Sequence, residues 1–410
     1  MKDMPGMAGM DMNHMDMGHG EMPGMMAGAL GRYSMTRDAS GTTWQPDSTP
    51  MLGASFASGG WTGMAQGYVD LVYDHQDGPR GASKTFSESM LMLMAQHAAG
   101  PGTLTLRAML SLDPAMGADG YPLLLQTGET ADGVHPLVDR QHPHDLFMEL
   151  SGTYSLPIGA DASVFLYGGL PGEPALGPVT FMHRFSGMDD PAAPISHHWL
   201  DSTHITYGVI TWGVVHGDWK LEASAFNGRE PDQHRWNFDT PRLNSWSGRL
   251  SWNPTRNWAL QVSYGFIKSP EALEPNVDQR RVTASATYDW PLAGGNWQTT
   301  LAWGRNDNQP GHVLDGILLE SAYSRGRGTV FARLEDVQKD ELFTPPSPQT
   351  GQVFRVAEAS LGYVYDLPIA RHVALGLGAM GTVNVVPDAI RPSYGGAPWG
   401  WMPFLRLKLR

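Results

Sequence analysis

The sequence lacks cysteine and any long apolar run. None of its 410 residues is Cys, which fits a bacterial envelope protein and is also compatible with the cytosol. No stretch approaches eighteen consecutive apolar residues, and this excludes a transmembrane helix. Basic residues are few, 28 Lys+Arg against 41 Asp+Glu, so the net charge of -13 disfavours nucleic acid and favours cationic partners. The first thirty residues show no signal peptide, so we expect the sequence to be a mature form if the protein is exported.

Catalytic motifs are also missing. The chain has no G-x-S-x-G elbow, no H-E-x-x-H and no G-x-x-x-x-G-K-[ST], and no motif places a pair of carboxylates. We therefore expect a protein that is not an enzyme and that needs no organic cofactor.

Methionine, by contrast, is concentrated at the start of the chain. The stretch "MPGMAGMDMNHMDMGHGEMPGMM" holds nine methionines and two histidines. Its many Gly and Pro residues prevent a stable helix or strand, so a disordered tail is expected. Thioether sulfur selects Cu(I) or an equally soft ion such as silver, and imidazole accepts Cu(II) as well. The candidate ligands are Met4, Met7, Met10, Met12, His14, Met15, Met17, His19, Met22, Met25 and Met26. An inert tract is the alternative.

From about residue 60 the period of the sequence is two. Apolar Trp219, Leu221 and Ala223 alternate with polar Lys220 and Glu222, the pattern of a strand with one apolar face. About sixteen such strands are predicted, with fourteen to eighteen as the range. They lie near 62–75, 85–98, 102–113, 145–157, 161–170, 203–214, 218–227, 243–252, 256–267, 279–290, 295–305, 313–325, 327–335, 353–366, 370–385 and 399–410.

The connections between these segments alternate between short and long. This layout is typical of an all-β, transmembrane antiparallel β-barrel of the bacterial outer membrane, with periplasmic turns and external loops. Tryptophan pairs flank three of the short turns, where an aromatic girdle is expected: Trp212 and Trp219, Trp252 and Trp258, Trp290 and Trp297. A soluble β-sandwich or propeller is the alternative. The predicted organisation is a metal-binding tail (1–31) in the periplasm, a linker (32–60) and the barrel (61–410).

With apolar side chains facing lipid, charged side chains line the lumen, which is either a wet pore or filled by the long loops. This lumen set is Asp70, Asp74, Asp145, Glu149, Lys220, Glu222, Arg249, Arg281, Glu358, Arg406 and Lys408. The run Met90, Met92, Met94 has strand period and is assigned to the lipid-facing surface.

Two long connections concentrate histidine. "DRQHPHD" places His142 and His144 two residues apart, and therefore on one side of an extended backbone. "FMHRF" and "SHHWLDSTH" follow in the next long connection. If the two loops converge, they form a site for Cu(II) or Zn(II); solvated loop histidines or loop packing are the alternatives. The candidate ligands are His142, His144, Met182, His183, His197, His198, Asp201 and His204.

A Met/His-rich tail before a β-barrel resembles the copper resistance protein B family of outer-membrane proteins. The resemblance implies a role in copper tolerance, with Met4 to Met26 carrying metal binding. We expect the tail to capture Cu(I)/Cu(II) and to pass it to the loop histidines or the lumen for sequestration or export. Expected partners are metal ions, outer-membrane lipid and periplasmic copper proteins, without nucleic acid. A passive porin with an incidental tail is the alternative.

Overall fold

The structure, a computed structural model, describes residues 27–409, and its main feature is a closed antiparallel barrel of sixteen strands. Strands β2–β4 and β7–β19 form the wall, which closes where β19 pairs with β2. Strand β1 adds to β2, and β5 and β6 form a separate hairpin. The strands are β1 Ala54–Ser58, β2 Trp61–Gln76, β3 Ser83–Ala99, β4 Gly102–Leu110, β5 Tyr121–Thr130, β6 Pro136–Gln141, β7 Phe147–Pro157, β8 Ala162–Gly169, β9 Val209–His216, β10 Trp219–Phe226, β11 Ser245–Trp252, β12 Trp258–Ile267, β13 Asp278–Leu292, β14 Gly295–Gln309, β15 Val313–Arg325, β16 Gly328–Lys339, β17 Phe354–Ala370, β18 Val373–Val385 and β19 Trp399–Leu409.

The predicted barrel is confirmed, including its sixteen strands. Each wall strand overlaps one of the predicted segments. The largest error is the segment near 203–214, because the wall strand begins only at Val209. Residues 203–208 carry apolar and polar side chains that alternate, but they belong to a loop inside the barrel.

The outer surface of the wall is apolar. Leu221 is 58% exposed, whereas its neighbours Lys220 and Glu222 are buried. Trp212 and Trp219 are 53% and 46% exposed beside a short turn, and the rings of Trp219 and Trp252 stack with centroids 4.7 Å apart. Lipid is the solvent that covers such a surface, so the barrel is of the transmembrane type.

Charged side chains face inward, as the alternation predicts. Lys408 is partly buried, and the other members of the predicted lumen set are at most 4% exposed. The assignment of Met90, Met92 and Met94 to the lipid-facing surface is wrong. These three side chains are 3–6% exposed and face the lumen, while Leu91 and Leu93 between them are 43% and 47% exposed. All five residues are apolar, so hydrophobicity alone does not distinguish the two faces of β3.

Helical structure in residues 27–409 is limited to single turns. The α-helices are α1 His197–Leu200 and α2 Arg391–Tyr394, and the 3-10 turns are Met35–Arg37, Asp113–Met116, Phe181–His183, Ser202–His204 and Asp388–Ile390. Within the described part of the chain, none of the helices has the length and apolar character needed to cross a membrane.

The connection between β8 and β9, residues 170–208, folds into the lumen, and we call it the plug loop. Arg184 at its centre donates hydrogen bonds to Glu320 Oε2 of β15 and to Asp201 Oδ2, both at 2.7 Å. Four strands further along the wall, Arg406 of β19 donates to Asp189 Oδ1 at 2.9 Å. The plug loop is thus tied to two separate strands of the wall by charge-assisted hydrogen bonds, which are stronger than neutral ones.

Residues 27–53, assigned from the sequence to the end of the tail and to the linker, also pack inside the barrel, and we call them the lumen segment. Arg107 of β4 donates to Gly41 O at 2.8 Å, and Lys220 of β10 donates to Thr42 O. Asn253, in a short turn, donates to Gln45 O at 2.9 Å. These contacts place the lumen segment toward the short-turn end of the barrel.

The long connection between β4 and β7, residues 111–146, contains the β5–β6 hairpin and leans against the plug loop. Gln126 Nε2 donates to Pro194 O of the plug loop at 3.2 Å. This contact brings the two histidine-bearing loops together inside the barrel.

Candidate metal centre

Three imidazoles, two of them buried and that of His144 mostly buried, meet where the two long loops touch. The ring of His204 has its centroid 5.4 Å from that of His144 and 5.2 Å from that of His197. Two imidazoles that bind one tetrahedral ion through nitrogen have centroids about 5 Å apart. We call these residues the histidine trio. Phe181 packs against all three rings and covers one side of the group.

One nitrogen of each ring is held by a protein acceptor. His144 Nδ1 lies 2.8 Å from Asp113 Oδ2, and His197 Nδ1 lies 2.7 Å from Asp201 Oδ1. His204 Nδ1 lies 2.9 Å from the backbone oxygen of Asp201. This is how metal-binding histidines are oriented in proteins, since the acceptor fixes the tautomer and leaves Nε2 for the ion. His204 Nε2 is buried and has no hydrogen-bond partner among the described residues.

Five of the loop histidines are held in the uncharged form, which is the form that binds metal. Burial lowers the pKa of His142 and of His183 to about 3, and it lowers the pKa of His197, His198 and His204 as well. Burial disfavours the charged imidazolium because the surroundings solvate it poorly. A neutral ring offers a nitrogen lone pair, so no proton needs to leave before an ion binds.

A second group of ligands adjoins the trio through His198. The ligand atoms of His198, Glu230 and Glu271 lie within 4.8 Å of one another, which in residues 27–409 is true of no other three His, Asp or Glu residues. His142 extends this group, with its ring centroid 6.0 Å from that of His198. The ligand atoms of the trio are therefore farther apart than those of the second group. To bind one ion, the Nε2 atoms of the trio must come within about 3.3 Å of one another.

Asp201 lies behind the trio. Its Oδ1 accepts from His197, and its Oδ2 accepts from Arg184 NH1 and from the backbone N–H of Phe181 at 2.9 Å. Burial opposes ionisation of this carboxyl, but the Arg184 guanidinium holds its pKa below the usual range. With both oxygens engaged, Asp201 is placed to orient the ligands.

The remaining candidates of the loops lie apart from the trio. Met182 is buried in the apolar core of the plug loop. His183 points toward the barrel wall, where its Nε2 lies 3.2 Å from Met109 Sδ of β4. His135 is exposed and pairs with Asp132 at 2.7 Å. Residues 4–26, which hold the tail candidates, lie outside the described residues.

Sequence reasoning did not find the partners that complete the site. Asp113 directly follows a wall strand, and Glu230 and Glu271 lie in two further loops. Nothing in their local sequence marks them, because the loops meet only through the closure of the barrel. The i, i+4 spacing of His197 and Asp201 was a usable signal for their hydrogen bond.

The geometry defines a plugged sixteen-stranded barrel with buried histidines in its lumen. No protein-family model matches the chain, and no curated protein matches it. Among solved structures, OmpF of Salmonella typhi, in complex with daunomycin, is similar over 87% of this chain and 100% of its own, with 8% identity and a TM-score of 0.51. The anion-selective porin of Comamonas acidovorans is similar over 85% of this chain and 99% of its own, with 11% identity and a TM-score of 0.50. At such identities the likeness shows the fold, which is that of outer-membrane porins.

Proposed function

We propose that the protein is an outer-membrane barrel that binds copper and contributes to copper tolerance by sequestration or export. The observation that carries this proposal is the histidine trio. His144, His197 and His204 lie together inside the barrel, and each has its Nδ1 anchored by an oxygen acceptor. Any buried imidazole needs a hydrogen-bond partner, but here the anchored atom is Nδ1 in all three rings, which leaves three Nε2 atoms for an ion. Imidazole binds Cu(II), and the tail thioethers suit Cu(I) or silver.

The outer-membrane location is inferred from the barrel surface. An apolar exterior with outward-facing tryptophans fits a lipid bilayer, and in bacterial outer-membrane barrels the short turns face the periplasm. The lumen segment contacts these turns through Arg37, which pairs with Asp218 at 3.1 Å. This contact supports a periplasmic position for the tail that precedes the lumen segment.

The proposed mechanism has two stages. The tail, with up to eleven soft or borderline donors, captures ions in the periplasm. The histidine trio then holds an ion between the two long loops inside the lumen, where burial keeps competing water away. Periplasmic copper proteins are the expected donors to, or acceptors from, the tail. We propose a binding role rather than a catalytic one, which is consistent with a sequence that carries no catalytic motif.

A passive porin is the second candidate, because the fold is shared with porins. Its difficulty is the plug loop, which spans the lumen. Arg406 of β19 donates to Asp189 of this loop, and the backbone N–H of Ala175 donates to Ser224 Oγ of β10, seven strands away around the wall. A single-channel measurement in planar bilayers separates the two. We expect a conductance far below that of an open sixteen-stranded barrel, and an increase when Arg184→Ala and Arg406→Ala are combined.

Copper tolerance tests the proposal in cells. Cells producing the wild-type chain are expected to grow at higher copper concentrations than cells producing a full-length variant with the eleven tail donors replaced by serine. The variant His144→Gln/His197→Gln/His204→Gln is expected to lose part of the tolerance, with His75→Gln as a control on the barrel surface. Equal growth of all four strains at matched barrel levels would contradict a copper role.

A further inference from the structure

A cavity of ≈ 70 Å³ lies between the barrel wall, the lumen segment and the plug loop. Six of its seventeen lining residues are methionine, against 23 methionines in 410 residues of the whole chain. They come from all three surrounding parts: Met64 on β2, Met92 and Met94 on β3, Met35 and Met51 in the lumen segment, and Met188 in the plug loop. Folding thus gathers thioethers that are far apart in the sequence.

His183 adds an imidazole to this cavity. It belongs to the lining, and its Nε2 lies 3.2 Å from the sulfur of Met109 on the neighbouring strand β4. The ring is buried and neutral, since burial lowers its pKa to about 3. A thioether and an imidazole nitrogen at this separation can bind one ion with little rearrangement.

The charges at the cavity are balanced. Arg107 lies in its wall and is paired with Glu149 Oε2 at 3.5 Å. Asp38, also in the wall, accepts hydrogen bonds from Ala29 N at 2.6 Å and Tyr33 OH at 2.7 Å. Two of the sulfurs already act as weak acceptors, Met94 from Arg107 at 3.9 Å and Met92 from Gln66 at 4.0 Å. A monovalent cation therefore does not face an unpaired positive charge.

We infer that this methionine cavity is a binding site for a soft monovalent cation, Cu(I) or Ag(I), held by thioether sulfurs and His183. Methionine often fills irregular gaps in cores, but here six methionines line unfilled space. Soft ions prefer thioether ligands, whereas the histidine trio suits Cu(II). The lumen thus has two sites, one with soft sulfur ligands and one with imidazole ligands. A single 3-10 turn contacts both, since His183 lines the methionine cavity and Phe181 packs against the histidine trio.

The position of the cavity suggests its role. Met35 in its wall follows the last tail donor, Met26, by nine residues. An ion released by the tail at the short-turn end reaches this cavity before it reaches the histidine trio. The inference rests on the proposed copper function, and it identifies the ligands inside the barrel that follow those of the tail.

Silver titration tests the inference, since Ag(I) is soft and does not change oxidation state. The protein is the detergent-purified, full-length chain with the eleven tail donors replaced by serine, so that the tail does not contribute. We expect one tightly bound silver ion with sulfur neighbours in silver-edge X-ray absorption. Met92→Leu/Met94→Leu, which conserves volume, is expected to weaken this binding at least tenfold. His183→Gln is expected to remove the nitrogen neighbour and retain the sulfur neighbours.

Met380→Leu/Met402→Leu is the matched control. These two methionines are also buried on neighbouring strands, at 3% and 1% exposure, and they are not in the cavity wall. The control should bind silver as the parent does. Equal weakening in both double variants, or a bound ion with nitrogen neighbours alone, would overturn the methionine site. If the unsubstituted chain still bound copper, the proposed function would stand. If the unsubstituted chain bound no copper, the proposed function would be refuted as well.

Discussion

Arg184 is held between two carboxylates in the middle of the lumen. It donates to Asp201 and Glu320 at 2.7 Å, and Arg333 donates to the other oxygen of Glu320 at 2.9 Å. All four side chains are at most 2% exposed. Such a cluster costs desolvation free energy when it forms, so removing one member leaves a buried charge uncompensated. Its charges therefore fix the position of the plug loop.

Glu320→Gln is predicted to loosen the plug loop. It leaves two guanidinium groups without their shared carboxylate, at a cost of about 3–5 kcal/mol in local opening free energy. Hydrogen exchange of residues 181–204 measures this opening. Asp315→Asn, in the exposed Arg305–Asp315 pair on the outside of the barrel, is the control and should change exchange little. Equal effects of the two substitutions would contradict a charge-anchored plug.

The buried histidines predict that acid opens the plug loop. In the closed state the pKa is about 3 for His183 of the plug loop and for His142, which packs against His198 of that loop. When the plug loop opens, both values return to about 6.5. Between these values the open state binds more protons, so the closed state loses stability as pH falls. At pH 5 the loss is about 2 kcal/mol for each such histidine.

Hydrogen-exchange protection factors of the metal-free protein check this pH dependence. Protection of the plug loop should fall from pH 7 to pH 5, while protection of wall strands stays high. His142→Gln/His183→Gln should flatten the dependence. Protection that is constant or rises toward pH 5 would contradict buried neutral imidazoles.

Side-chain identity decided which site residues were predictable from the sequence. His144, His197 and His204 stood out because histidine is uncommon and clusters in two loops. Met92 and Met94 were assigned to the wrong face, since the strand around them is apolar on both sides. In β10, by contrast, Lys220 and Glu222 mark the inner face clearly.

At the scale of elements, glycines of the wall make room for the plug loop. A Cβ at Gly304 of β14 would lie 2.1 Å from the backbone oxygen of Trp199, and one at Gly316 of β15 would lie 2.9 Å from its ring. Helix α1 thus packs directly against the backbone of β14 and β15 at these glycines. Because α1 begins with His197, this docking also positions the histidine trio.

Gly304→Ala is predicted to displace α1, since a backbone atom at that distance must move. We expect at least tenfold weaker Cu(II) binding at the trio, with a barrel that remains folded. Gly381→Ala on β18 is the matched control, because its Cβ would meet nothing closer than Gly400 O at 3.8 Å, an ordinary contact. Unchanged copper affinity in Gly304→Ala would show that α1 does not position His197.

The wall strands were predictable because each carries its own period of two and ends at a turn. The loops were not, because no local pattern says whether a loop of nearly forty residues extends outward or folds into the lumen. The sequence left an open pore and a plugged barrel as alternatives. The folded wall decides between them, since Glu320 of β15, Arg333 of β16 and Arg406 of β19 all hold the same loop.

In the whole molecule, a lipid-facing barrel encloses a lumen that is filled by two chain segments. Residues 27–53 enter from the short-turn end, and residues 170–208 fold in from the long-loop end. Each segment brings methionine or histidine side chains, the proposed metal ligands, to the interior. This arrangement suits retention of ions better than free passage of solutes.

Copper content of the detergent-purified full-length protein decides whether this barrel binds copper. The wild type, the tail variant with eleven serines and the variant His144→Gln/His197→Gln/His204→Gln are equilibrated with micromolar copper and their bound metal is counted. We predict several ions in the wild type, fewer in the tail variant, and the loss of a nitrogen-bound Cu(II) in the histidine variant. A wild type that retains no copper, or three proteins with equal copper content, would contradict the account.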